Sequence, residues 1–207
     1  MIAASIAPAN AAESRVSPDE YRTLERQQRE QRHEYDNGLQ IPMTGSSYRH
    51  SQLITNLLVL LATALEESDY TVHASDLRVW IPQWAAGTYP DLLVIQGEPR
   101  FTADRTDEVL NPTLIVEVLS PATAEYDRTK KFEKKFEKKF EKYCSIPEFR
   151  EYVLVSQAEA AIDRFWLGED GDWRWRRVVG LDQDLAIATG GLTLPLAKIC
   201  WPRFIDR

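Results

Sequence analysis

Glu117 stands in the middle of an apolar run, Leu114-Ile115-Val116-Glu117-Val118-Leu119. A lone carboxylate inside a buried strand costs several kcal/mol unless it is paired, protonated or bound to a cation. Asp91, directly after Pro90, opens a second apolar run at 91–95. Acids at related places on two short strands can meet side by side, where like charges repel and at least one pKa rises. A divalent cation relieves both problems, and hard oxygen ligands with open positions for water suit Mg²⁺ or Mn²⁺. Each acid also has a bland reading. Asp91 could be a strand-start or turn acid, and Glu117 could pair with a buried Lys or Arg. The two together, followed by a lysine-rich segment, are harder to reduce to structure alone.

The elements that must position these acids can be read coarsely. Ser17-Pro18-Asp19-Glu20 is a helix start, with Ser17 as cap, Pro18 in the first turn and Glu20 closing a capping box. This helix is expected to run to about His33 and stop near Asn37-Gly38, with Glu34 near its end and a strand pair around 39–43. A second helix, 50–67, is apolar on most sides and must pack centrally. Residues 72–81 alternate like a half-buried strand. Segments 91–95 and 114–119 are short apolar strands, 104–111 is a polar loop, and 130–142 is a helix. Strands follow at 152–157, 161–167 and 173–179, the last two joined at Gly168-Glu169-Asp170-Gly171 as a hairpin. The tail from 185 to 201 has β character. The order predicts an α/β (α+β) domain with a mixed central sheet flanked by helices.

Composition narrows the function classes. At 207 residues, 43% apolar and 28% charged, the chain is long enough to bury a full core. Cys144 and Cys200 are too few for a disulfide framework and lack C-x-x-C spacing. A thiolate zinc site is thereby excluded, and a reducing, cytoplasmic setting is expected. No apolar run reaches the roughly 18 residues of a membrane helix. The net charge of −7 gives no bulk attraction to nucleic acid, so contact with phosphates must come from a local basic patch. Residues 1–16 are small and low in complexity and are expected to form a disordered head, leaving 17–207 as one domain.

Lys130-Lys131-Phe132-Glu133 recurs at 134–137 and 138–141, three identical tetrads. At helical spacing Phe132, Phe136 and Phe140 share one side, and each Glu lies near a Lys one turn away. The plain reading is an amphipathic helix with one apolar stripe; the functional one is a basic rail along phosphates. Identity at so short a period also suggests slippage of a coding repeat. A second basic and aromatic cluster, Trp173 to Arg177, would place Trp173, Trp175 and Arg177 on one strand face, which suits a packed aromatic face with solvated arginines. Gln157, at a strand end, suits an exposed amide better than a water-orienting group.

These pieces combine into a recognisable pattern. Tyr89-Pro90-Asp91, then Ile115-Val116-Glu117-Val118-Leu119-Ser120-Pro121, Asp127-Arg128-Thr129-Lys130-Lys131 and Glu151-Tyr152-Val153-Leu154-Val155 resemble the Uma-two family. Ser17 to Tyr21, His33 to Gly38 and His50 match its opening pattern. These restriction-endonuclease-like proteins are abundant in cyanobacteria and have a PD-(D/E)XK nuclease fold.

The resemblance implies a Mg²⁺- or Mn²⁺-dependent hydrolase acting on DNA phosphodiesters. Asp91 and Glu117 would be the metal ligands and Glu34 an additional acid. The usual E-x-K would put Lys at 119, where this chain has Leu119. A helix lysine is thought to substitute in this family. Lys131 fits its D-x-x-x-K spacing from Asp127 and is the favoured candidate. Lys139 is the rival, because it keeps the family's four-residue spacing to Tyr143. His50, Arg128, Lys130 and Lys134 are DNA-contact candidates, while Asp76 is expected to be structural. A homodimer would supply the two sites that duplex cleavage needs. The competing expectation is an inactive module that keeps the fold and binds DNA or a protein partner. Leu119 favours that alternative.

Overall fold

The computed structural model describes residues 15–200 apart from 29, 44 and 120–129, and only the backbone within 130–136. Most of the head expected at 1–16 and the candidate Arg128 lie outside the described residues, as do the side chains of Lys130, Lys131 and Lys134.

Helix α1 (Pro18–Gln27) begins as its capping box dictates: Ser17 accepts from the Glu20 N–H, and Glu20 accepts from the Ser17 N–H. It ends well before His33. Strands β1 (His33–Asp36) and β2 (Leu39–Pro42) follow as a hairpin, so Glu34 sits on a strand and not at a helix end. The reason is the Asn37-Gly38 pair. Both residues take positive φ, 45° and 97°, as a two-residue hairpin turn requires. Asn-Gly is a turn between strands here, not the stop of a helix.

Helix α2 (Tyr48–Ala64), capped by Ser47, buries Leu53, Leu57 and Leu61. The expected strand at 72–81 divides into β3 (Tyr70–Ala74) and β4 (Arg78–Ile81). Ser75, at φ 43°, breaks the strand between them. After β5 (Ala86–Thr88) come β6 (Leu92–Gln96), β7 (Glu108–Val109) and β8 (Pro112–Leu119). Thus the segment read as a polar loop contains a short buried strand. Helix α3 (Lys130–Cys144) carries the tetrads. Strands β9 (Glu151–Ser156), β10 (Ala161–Leu167) and β11 (Trp173–Val179) lie where the periodicity puts them. The tail adds β12 (Asp184–Ile187), β13 (Leu192–Pro195) and the short helix α4 (Leu196–Cys200).

The strands form two main sheets. One has five strands in the order β2-β1-β5-β4-β7, and the other six in the order β11-β10-β9-β8-β6-β3. Strands β8 and β9 run parallel, while β6 and β8 are antiparallel. This is the mixed sheet with flanking helices that the sequence predicts.

Alternation along β8 decides where the acids go. Leu114, Val116 and Val118 face the core shared with Leu53, Leu57 and Leu61 of α2. Ile115 faces the second core, built with Tyr143, Ile146, Phe149 and Tyr152. Glu117, two residues on, therefore points to the α3 side.

Candidate active site

Leu92 pairs with Val116 across β6 and β8. One step further along antiparallel strands sets Asp91 opposite Glu117 on the same face. The Asp91 carboxylate accepts from the Val118 N–H at 2.7 Å, which ties it to the backbone beside Glu117. His50, in the first turn of α2, brings its Nε2 within 3.2 Å of the same Asp91 oxygen. That hydrogen bond outweighs burial and raises the His50 pKa above its ordinary value.

Glu117 meets a cation from α3. Lys139 Nζ lies 2.7 Å from Glu117 Oε1 and 3.1 Å from Glu34 Oε1. Tyr143, one turn further along the helix, donates to Glu117 Oε1 at 3.2 Å and lies 3.0 Å from Thr88 Oγ1 on β5. Lys139 and Tyr143 share a helix face because four residues make about one turn. Phe140 anchors this stretch, its ring 5.0 Å from that of Trp173, 5.2 Å from Phe165 and 5.9 Å from Tyr152. Lys142 pairs with Asp36 at 2.7 Å. All these contacts come from the third tetrad and the residues after it.

Burial pushes Glu117 up to about 7, with Lys139 pulling it down and Asp91 and Glu34 adding to the rise. Burial also works against the Lys139 ammonium, yet Glu117 and Glu34 together hold its pKa well above the usual range. Tyr143 is pushed up by burial and stays a neutral donor. The bland reading of Glu117 as the partner of a buried cation and the chemical one therefore meet in a single residue, Lys139.

Several sequence candidates behave differently. Gln157 is no exposed amide: it is 2% exposed, accepts from Ser47 Oγ at 2.8 Å and donates to the Leu119 carbonyl at 2.8 Å. It ties the cap of α2 to the end of β8. Sequence reading undervalued it because a strand-end amide carries no signal of what it will meet. Asp76 pairs with Arg32 at an exposed position. In the Trp173 to Arg177 cluster, Trp175 and Arg177 bond to Asp163, and Arg177 also pairs with Glu159. Those acids offset its charge. Thr88 is a further contributor that no motif announces.

The constellation offers oxygen donors, a resident ammonium and a phenol around one half-buried point. Oxygen donors of this kind suit a hard dication rather than a soft one. Among the described residues no group of three His, Cys, Asp or Glu side chains closes around a metal position.

Comparisons with known proteins bear on the fold and the family. A solved structure titled "Crystal structure of a putative nuclease belonging to DUF820 from Anabaena variabilis ATCC 29413" shares the fold. Its TM-score is 0.68 at 14% identity, covering 89% of this chain and 97% of that one. Two Synechocystis proteins, "Uncharacterized protein sll1609" and "Uncharacterized protein slr1290", are 33% and 37% identical. Each match covers 77% of this chain, and 85% and 78% of the respective relative. The family profile described as "Uma2: Putative restriction endonuclease" matches residues 18–197, so this chain, with its carboxylates gathered at the end of β8, belongs to the Uma2 family.

Proposed function

We propose that this protein is a dication-dependent endonuclease hydrolysing phosphodiester bonds in DNA. The observation that supports it is the convergence of Asp91 and Glu117 from adjacent strands with Lys139 from α3 on one half-buried point. Asp91 and Glu117 would hold Mg²⁺ or Mn²⁺, which needs only one or two carboxylates because it keeps several waters. Held by those two carboxylates, such an ion would supply Lewis acidity toward a phosphodiester oxygen and a more acidic water. The ionisation of Glu117 near neutrality fits this role, since a dication favours the charged form.

The chain's own groups do the rest. Lys139, held protonated, stabilises negative charge that develops on the phosphate. His50 and the Val118 N–H fix the Asp91 carboxylate, and Tyr143 orients Glu117. Lys139 is proposed rather than Lys131, which lies eight residues earlier on the helix, about 12 Å along its axis. Helix α3 thus offers the cation that Leu119 lacks, which weakens the main argument for an inactive module.

The test is plasmid nicking with Mg²⁺ or Mn²⁺. Glu117→Gln and Asp91→Ala should abolish cleavage, and Lys139→Met should slow it about 100-fold. Lys131→Met should leave it within about twofold, since Lys139 supplies the ammonium in contact with Glu117. No cleavage with either ion, together with DNA binding unchanged by EDTA, would establish the inactive module instead.

A further inference from the structure

Lys139 stands between two carboxylates, 2.7 Å from Glu117 and 3.1 Å from Glu34. Only Glu117 of these two is on the strand beside Asp91. Glu34 comes from β1, in the other sheet. The bonds around Asp91 run to the Val118 N–H and His50, while Glu34 bonds to Lys139. We infer that Glu34 is a positioning residue that acts through Lys139: it is the second seat for the ammonium and draws that charge off Glu117 when a dication binds.

The physical argument is one of competing cations. An ammonium in contact with a carboxylate oxygen repels any dication that the same carboxylate takes up. An ammonium displaced from Glu117 would stand as an unpaired charge in a largely enclosed site, which is costly. It therefore needs another anion within reach. Glu34 is already in contact, so the ammonium shifts its weight from one carboxylate to the other without leaving the site. Glu34 then contributes to dication affinity only while Lys139 is present. A direct ligand would contribute whether or not Lys139 is there.

This inference rests on the dication reading above, and a double-mutant cycle tests it separately. Mn²⁺ is titrated calorimetrically into the full chain at pH 8 as wild type, Glu34→Gln, Lys139→Met and the double variant, with Glu117→Gln as control. Glu34→Gln should weaken Mn²⁺ binding about tenfold in the wild type and less than about twofold in the Lys139→Met background. An equal loss in both backgrounds would make Glu34 a direct ligand and overturn the inference. No loss in either would overturn it as well. Wild type that binds no Mn²⁺, or binds it as well after Glu117→Gln, would sink the dication reading itself and this inference with it. Should Lys139→Met not fold, as judged by circular dichroism, Lys139→Gln takes its place in the cycle.

Discussion

At the residue scale, Glu117 is held in tension. Its folded pKa of about 7 lies above its ordinary value of 4.5. The folded state therefore keeps the proton longer than the unfolded one, and this residue's contribution to stability is lost as pH rises from 4.5 through 7. Glu117→Gln removes the titration while leaving Lys139 its contact with Glu34. In EDTA, the variant should melt close to wild type at pH 4 and increasingly above it between pH 5 and pH 8. Thermal melts across that range check the sign; a constant difference would contradict it. The acids themselves were legible in the sequence, because a charge in an apolar strand and a Pro-Asp at a strand start stand out without a structure. The lysine was less so. Two spacings, one to Asp127 and one to Tyr143, pointed to different positions within identical tetrads. Only tertiary contact distinguishes one copy from another.

At the element scale, the described side chains that hold α3 in place lie in its last turns. Lys139, Phe140, Lys142 and Tyr143 make the contacts with the two sheets. Deleting 130–137 leaves the ten residues 120–129 between Leu119 and Lys138, a reach of roughly 33 Å when extended. That deletion should shift Tm by less than about 3 °C, equivalent to about 1 kcal/mol at this size. Phe140→Ala, by contrast, should cost about 3 kcal/mol by emptying its place among Tyr152, Phe165 and Trp173. Calorimetric melts of the two variants separate the outcomes. The later strands were readable because alternation and hairpin glycines are local signals. The early region was misread because Asn37-Gly38 ends a helix or turns a hairpin with equal ease. The choice is made by pairing with β5, where Tyr35 meets Gly87.

At the scale of the whole molecule, the site lies where two sheets meet. Glu34 and Thr88 come from one, Asp91 and Glu117 from the other, and α3 reaches both. Neither sheet's membership could be read from sequence, since long-range pairing leaves no mark in a strand's own pattern. The five-stranded sheet holds a buried ion pair near α1. Arg78, 2% exposed, donates to Glu108, 0% exposed, and to the Tyr89 hydroxyl, while Arg22 of α1 also pairs with Glu108. Arg78→Met leaves the buried Glu108 carboxylate to Arg22 and should cost about 3 kcal/mol, the low end for a broken buried pair. At roughly 2–4 °C per kcal/mol for a chain of this length, the fall in Tm is easily measured. The identical tetrads have a consequence for heredity. Whole units can be gained or lost without breaking the reading frame, and whichever copy precedes Tyr143 is the one that docks. A gene prone to copying errors at this tract would still deliver a lysine to the same carboxylate in every generation.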